Sequence, residues 1–155
     1  MAVSRAQLFY DEHIVPTVRE WEAGPLEPHR AMNAAVSLNQ MADHFFHEYQ
    51  VDSGKVLGAT SVSAFRNALA ASTPEFGLIR DVADAHKHFK LDRHNRKITD
   101  ASQATQGSMG WGEAAWGEGQ WGSPPEIVVT YDDGTKHHFS TAVRKVMDMW
   151  KGKRP

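Results

Sequence analysis

The segment Leu78–Leu91 (LIRDVADAHKHFKL) carries ionisable side chains beside an apolar stripe, at the border of a predicted core. Ile79, Val82 and Phe89 follow helical spacing, and His86 falls on the same stripe. His86 should therefore point at the core or at a partner. Because imidazole changes charge near neutral pH without special tuning, His86 is a candidate for proton transfer. The alternative is a core histidine that is hydrogen-bonded to a carbonyl group.

Carboxylate and imidazole groups also form pairs on two predicted helices. Asp43 and His47 are four residues apart, and so are Asp84 and His88. This spacing puts each pair on one helical face, where it either stabilises the helix slightly or joins the other pair in a metal site between packed helices. Zinc, iron or manganese would suit such ligands.

A short motif on the first of these segments suggests a family. Arg80 is followed by the polar residue Asp81 and, after four more residues, by His86. This arrangement resembles the Arg-x(4–6)-His signature of HEPN domains (higher eukaryotes and prokaryotes nucleotide-binding). HEPN domains are helical bundles, often dimeric, and many are metal-independent ribonucleases that act as toxins or in antiviral defence. The chain also looks like bacterial proteins of unknown function, a likeness that implies no activity.

The HEPN resemblance implies a role for each residue of the motif. Arg80 would hold the scissile phosphate, because a guanidinium stays charged and can bind phosphate in a bidentate way. His86 would shuttle the proton during attack by the RNA 2′-hydroxyl, and Asp81 would orient one of the two. No cofactor is implied. The Cα atoms of Arg80 and His86 lie about 120° apart around the helix, an angle that the long arginine side chain partly closes.

Length and composition limit the classes of protein. The chain has 155 residues, which fits one domain, and no cysteine, which removes disulfides, thiolate nucleophiles and thiolate zinc sites. With a formal net charge of −2, the protein as a whole does not attract polyanions, so contact with nucleic acid would need a local basic patch. No segment approaches the ~20 apolar residues of a membrane span, and the N-terminus lacks a signal-peptide pattern. We therefore expect a cytoplasmic protein without membrane contact.

Apolar periodicity predicts helices through most of residues 1–91, the clearest of them starting at Pro28. Ile98–Thr105 is a weaker candidate strand. Ile127–Tyr131 and Thr135–Phe139 are predicted to form a hairpin around a three-residue loop in which Gly134 is left-handed, and Ser140 should cap the last helix.

The predicted fold class is α+β, mainly α. It is an antiparallel helical bundle of four to five helices with a small C-terminal β-hairpin or sheet and a final helix. A single domain would span residues 1–155: a bundle over 1–91, an irregular connection over 92–126, and the hairpin with its helix over 127–155.

The connection contains an unusual repeat, Gly110–Gly122 (GWGEAAWGEGQWG), in which tryptophan recurs every five residues. This period fits neither helix nor strand, so an irregular loop is expected. Its tryptophans either fold back as a lid or form a surface that stacks on nucleobases or enters a partner's pocket. They are Trp111, Trp116 and Trp121. A basic run nearby is either a solvated turn or an edge that contacts phosphate. It contains Arg93, Arg96 and Lys97.

The leading function predicted from these features is an RNA-directed HEPN-like protein, possessing metal-independent ribonuclease activity in a toxin or defence system. The alternatives are a non-catalytic module for protein interaction, or a His/Asp metal-binding bundle. The expected partners are RNA and, through the Trp-rich loop, either a second copy of the chain or another protein.

Overall fold

The computed structural model describes residues 2–88, 96–107 and 125–153. The chain opens with one long helical segment in three parts: α1 (Arg5–Phe9), a π-helical turn (Tyr10–Ile14) and α2 (Val15–Ala23). The Ser4 hydroxyl accepts a hydrogen bond from the Gln7 N–H at 2.9 Å, which caps the first turn. The π-helical turn ends at Ile14, and Pro16 follows after one residue. Proline has no N–H, so Pro16 cannot donate a hydrogen bond to that turn.

Helix α3 (Pro28–Tyr49) is the longest element among the described residues and the centre of the bundle. It starts at Pro28, as the sequence predicts, because the first turn of a helix needs no N–H donor. Five apolar residues at helical spacing form a stripe along α3, and all of them are buried: Ala31, Ala34, Leu38, Met41 and Phe45.

Two further helices follow, α4 (Val62–Ser72) and α5 (Pro74–Lys87). Ser61 caps α4, accepting a hydrogen bond from the Ala64 N–H at 3.1 Å. Helix α5 packs against α3 and α4, and also against the last helix of the chain. Most of its side chains up to Ala85 are buried. It therefore brings the Arg80 motif into the middle of the molecule.

Three short strands form an antiparallel sheet in the order β1 (Ala104–Gly107), β2 (Glu126–Thr130) and β3 (Lys136–His138). In the predicted hairpin Val129 lies opposite His137, which is the expected register. The strand expected over Ile98–Thr105 is wrong in its position. A 3-10 turn (Ala101–Gln103) takes its place, because Asp100 and Gln103 form a capping box, and the strand starts only at Ala104.

The turn between β2 and β3 has the predicted conformation. Gly134 has a φ of 86°, in the left-handed region, and its N–H donates to the Tyr131 carbonyl at 2.9 Å. The hydroxyl of Thr135 donates to Asp133 at 2.6 Å, and this bond holds the pKa of the Asp133 carboxyl below its usual value.

Helix α6 (Phe139–Lys153) closes the bundle. It starts one residue before the predicted cap, so Ser140 lies in its first turn and its hydroxyl donates to Glu126 instead of capping. Trp150, near the other end of α6, is fully buried, and its indole N–H donates to the Leu38 carbonyl at 3.3 Å. Its ring contacts Phe45 and Phe76, which joins α6 to α3 and α5.

The fold class is α+β and mainly α, as predicted: a helical bundle carries a small three-stranded antiparallel sheet. Side chains of the helices and of the sheet contribute to one hydrophobic core. Among the residues described, every helix falls short of the length or hydropathy that a membrane crossing requires.

The left-handed conformation of Gly134 leads to a stability prediction. A Cβ added at Gly134 or at Gly152 in α6 meets no atom within 4 Å, so the two sites differ mainly in backbone conformation. Gly134→Ala should lower the free energy of unfolding by about 1 kcal/mol, because a Cβ is unfavourable at positive φ. Gly152→Ala should leave it unchanged or raise it slightly. Urea unfolding followed by circular dichroism measures both, and equal stability of the two variants would contradict the predicted turn strain.

Candidate functional site

A cleft of about 680 Å³ lies between α5 and the β2–β3 hairpin, with the start of α6 on the hairpin side. Its volume is in the range typical of ligand-binding pockets. Polar residues from four parts of the chain line it: Asn67, Arg80, Lys97, Tyr131, His137 and His138.

Arg80 is held rigidly in the wall of this cleft. The residue is only 6% exposed, and its Nε donates to the Asp81 carboxylate at 3.1 Å. Its Nη1 donates to the Asn67 side-chain oxygen on α4 at 3.0 Å. The neighbouring carboxylate therefore orients Arg80, which is one of the two roles that the sequence motif implied for Asp81.

Asp81 also binds the segment that follows the first gap in the described residues. It is 1% exposed, and it accepts hydrogen bonds from Arg96 Nη1 at 3.0 Å and from the Lys97 N–H at 2.8 Å. Arg96 Nη2 lies 2.6 Å from the Asp84 carboxylate. Two arginines and two aspartates thus form one buried network in which the formal charges cancel.

Arg96 and Lys97, which the sequence grouped together, have different roles. The Arg96 side chain is 11% exposed and paired with two carboxylates, so a structural role accounts for it, and the prediction that it contacts phosphate does not fit. Lys97 is exposed and lines the cleft. Among the described residues no carboxylate lies within ion-pair distance of its ammonium group, which leaves it as a source of positive charge for an anionic ligand.

Lys97 also connects the buried network to the opposite wall. Its carbonyl accepts a hydrogen bond from the Asp132 N–H in the hairpin turn at 2.7 Å. Tyr131 lies before that turn and His137 after it, and their rings face each other with their centroids 4.1 Å apart. These two rings form an aromatic patch on the wall of the cleft.

His138 is a buried histidine on the hairpin wall, 6% exposed. Its Nδ1 contacts the carboxylate of Glu126 on the adjacent strand β2. The Ser140 hydroxyl donates to both oxygens of the same carboxylate, at 3.1 and 2.9 Å. The imidazole therefore lies on the sheet face of Val128 and Glu126, and His137 lies on the opposite face.

The negative charge of Glu75, at the edge of the cleft, is compensated by a lysine on α6. Lys145 Nζ donates to its carboxylate at 2.6 Å. Burial raises the pKa of Glu75, but the hydrogen bond and charge of Lys145 outweigh it, so this pKa lies below its ordinary value. Both carboxylates that line the cleft, Glu75 and Asp81, thus have cationic partners.

His86 is not in the position that the helical stripe predicted. It is exposed, as are Lys87 and His88 after it, although Ile79 and Val82 on the same stripe are buried. The last turn of α5 extends beyond the core, so position along the helix decides exposure there. No hydrogen bond or ion pair among the described residues joins His86 to Arg80, which lies in the buried network.

The metal-binding alternative is not supported by the geometry. Within residues 2–88, 96–107 and 125–153, no three His, Asp or Glu side chains are placed to hold a metal ion. Asp43 pairs instead with Arg66, and Asp84 with Arg96. His47 is exposed on α3, in a second cavity of about 590 Å³ near the N-terminus.

Several predicted binding residues lie outside the described residues: Arg93, Trp111, Trp116 and Trp121. Their roles as a phosphate-contacting edge, a lid or an interaction surface stay predictions.

The sequence reasoning missed the contact between His138 and Glu126. Its signal was present in the predicted hairpin: with His137 opposite Val129, His138 lies opposite Val128, and Glu126 becomes its diagonal neighbour on the same face.

Comparison with protein families, with curated proteins and with solved structures found no match to this chain.

The buried network leads to a second stability prediction. Asp81→Asn should lower the free energy of unfolding by about 3–5 kcal/mol, because two buried guanidinium groups lose their shared carboxylate. Asp148→Asn is the matched control, since its pair with Lys151 is exposed and at 3.9 Å is worth less than about 1 kcal/mol. Urea titration measures both, and a cost for Asp81→Asn no larger than that of the control would refute the structural role.

A pH prediction follows from Glu75. Because its pKa is lower in the folded than in the unfolded protein, the Lys145 pair adds stability above the unfolded-state value of about 4.3. This contribution is lost as the pH falls through the folded-state pKa. Lys145→Met should therefore be less stable than the parent at pH 7, and the difference should shrink towards pH 3. Thermal unfolding across this range measures it, with Lys151→Met on the same helix as control. A difference independent of pH would contradict the charge pairing.

Proposed function

We propose that this protein is RNA-directed and that its cleft holds a phosphodiester group, which it cleaves without a metal ion. The observation that carries the proposal is the presence of a guanidinium, an ammonium and an imidazole around one cleft of about 680 Å³. They belong to Arg80, Lys97 and His137. Cationic donors bind and neutralise a phosphate, while imidazoles accept and donate protons near neutral pH.

The electrostatics of the wall support an anionic ligand. The carboxylates that line the cleft are already paired with cations, so they oppose an incoming phosphate only weakly. Arg80 provides oriented donors, because Asp81 and Asn67 hold its guanidinium. Lys97 adds a charge that no described carboxylate neutralises at ion-pair distance.

The aromatic patch supports a nucleic acid rather than a small phosphate ester. Tyr131 and His137 offer ring surface beside the cationic groups, and single-stranded RNA is commonly bound by stacking its bases on such rings. A HEPN-like relationship, and with it a role in a toxin or defence system, is part of the same proposal. Arg80 keeps the phosphate-binding role that the motif implied, and His137 replaces His86 in proton transfer.

The first experiment measures RNA cleavage by purified protein in excess EDTA. We expect cleavage to persist in the chelator and in His86→Ala, because His86 lies away from the described cleft lining. Arg80→Ala should reduce cleavage at least 100-fold, with Arg80→Lys retaining part of the activity and circular dichroism verifying the fold. Loss of cleavage in His86→Ala with full activity in Arg80→Lys would contradict the cleft assignment, and absence of both binding and cleavage by the parent protein would refute the function.

Binding is measured separately with 2′-O-methyl RNA, which lacks the free 2′-hydroxyl that cleavage needs. Lys97→Ala should weaken binding and reduce the slope of log Kd against log salt by about 0.7, the value for one phosphate contact on a single strand. Lys151→Ala, another exposed lysine on the far part of α6, should leave the slope unchanged. Equal slopes for the two variants would remove Lys97 from the binding site.

A further inference from the structure

Asn67, in the middle of α4, is an exposed polar residue that lines the cleft beside Arg80. Phe65 and Leu69, two residues before and after it, are fully buried. They hold this part of α4 against the core, so the backbone of Asn67 is fixed although its side chain is exposed. The amide group therefore reaches the cleft from a packed helix and not from a loop.

The contact with Arg80 fixes which way this amide points. Asn67 Oδ1 accepts a hydrogen bond from Arg80 Nη1 at 3.0 Å. A guanidinium has donors and no acceptor, so the side-chain oxygen of Asn67 must face it, and the Nδ2 amino group is the part left to donate. Among the residues that the structure describes, Asn67 makes no other hydrogen bond. Its amino group is thus left for solvent or for a ligand.

The other side-chain acceptors of this wall already have partners. Asp81 accepts from Arg80, Arg96 and the Lys97 N–H, and Glu75 is paired with Lys145. Next to Arg80, the wall therefore offers a donor and no unused side-chain acceptor. A ligand that matches it must bring acceptor oxygens.

A phosphodiester matches this wall better than a nucleobase does. Its two non-bridging oxygens are both acceptors and share one negative charge, which suits a guanidinium with a neutral donor beside it. An asparagine that reads adenine uses its oxygen and its amino group together. In Asn67 the oxygen is occupied by Arg80, so that base contact is excluded.

We propose that Asn67 is a second phosphate-binding residue of the cleft. Its Nδ2 donates to one non-bridging oxygen of an RNA phosphodiester, and Arg80 binds the other oxygen. This inference rests on the proposed function. Because the contact is made to the backbone of the RNA, it fixes the position of the strand without selecting a base.

Asn67→Ala tests the contact through the Kd for 2′-O-methyl RNA. The Kd should rise about three- to tenfold, the range for one lost hydrogen bond, and by the same factor for oligo(A) and oligo(U). The slope of log Kd against log salt should stay that of the parent, because a neutral amide displaces no counterion. Lys97→Ala is the contrasting charged case. A Kd within about twofold of the parent's, or a loss confined to one of the two sequences, would overturn the proposal.

Asn67→Asp keeps an oxygen for Arg80 but replaces the donor by a negatively charged acceptor. The Kd should rise by about tenfold or more, because like charges then meet in the cleft. The free energy of unfolding should not fall, since the new carboxylate still accepts from Arg80. Asn33→Asp adds the same charge at an exposed position of α3 outside the cleft lining. Equal effects of the two substitutions on the Kd would show that net charge alone matters, and would exclude the contact.

A third measurement separates direct contact from mere support of Arg80. A 2′-O-methyl dinucleotide has one phosphodiester, and its two phosphorothioate diastereomers each replace a different non-bridging oxygen by sulfur, which is a weaker acceptor. Asn67→Ala should lose sensitivity to one diastereomer and Arg80→Lys to the other, with circular dichroism verifying both folds. Loss of sensitivity to the same diastereomer in both variants would mean that Asn67 acts only through Arg80, and the proposed contact would be wrong.

The outcomes also separate this inference from the proposed function. If the parent binds 2′-O-methyl RNA and Asn67→Ala binds it equally well, the inference fails while the RNA-directed function stands. If the parent neither binds nor cleaves RNA, both are refuted.

Discussion

The Asp81 carboxylate is the interaction on which the geometry of the cleft depends. A buried charge is several kcal/mol less favourable than a solvated one unless it is paired and hydrogen-bonded. Asp81 meets this requirement only because Arg80, Arg96 and the Lys97 N–H all donate to it. The same bonds attach α5 to Lys97, and Lys97 in turn accepts a hydrogen bond from the hairpin turn at Asp132. One carboxylate thus links the two walls of the cleft, and the packing of α6 against α5 and against the sheet supports the same arrangement.

This arrangement has an electrostatic consequence for Arg80. The ion pair with Asp81 removes rotational freedom from the guanidinium, so a ligand would not have to immobilise that side chain. The Asp81 carboxylate also partly neutralises the positive charge of Arg80, which weakens the attraction of Arg80 for a phosphate. Lys97 differs from Arg80 in this respect: its exposed ammonium contributes a positive charge, but its flexible side chain does not fix the direction of a hydrogen bond. Orientation and charge are therefore supplied by different residues, and long-range attraction should come mainly from Lys97 and be sensitive to salt.

Local patterns in the sequence were enough for most of the fold. The helical stripe of α3 and the Asp-Asp-Gly turn depend on side-chain period and on the backbone freedom of Gly134, both of which are local properties. The start of β1 was missed because the capping box of Asp100 and Gln103 favours a 3-10 turn over a strand. The prediction that Ser140 caps the last helix was also wrong, since its hydroxyl donates a hydrogen bond to a carboxylate on a neighbouring strand.

The candidate site was harder to predict because it depends on how elements end and meet. Helical period places His86 on an apolar stripe, but it does not say where the packed part of α5 stops, and His86 lies beyond that point. Arg96 belonged to a charged run typical of a solvated turn, and only tertiary contact shows that it is buried against Asp81 and Asp84. The residues of the cleft come from α4, α5, the segment after residue 95 and the hairpin, so no single motif could have contained them.

His86 and His138 differ in how far the fold fixes the imidazole ring. An exposed imidazole on the last turn of a helix can change rotamer, so reaching one productive orientation has an entropic cost. His138 has already lost that freedom on folding, because strand pairing, burial and the Glu126 contact define its ring. The Ser140 hydroxyl then keeps the Glu126 carboxylate in place. Such fixing by neighbouring groups distinguishes a buried histidine from a surface one, and it depends on tertiary contacts that helical or strand period alone does not predict.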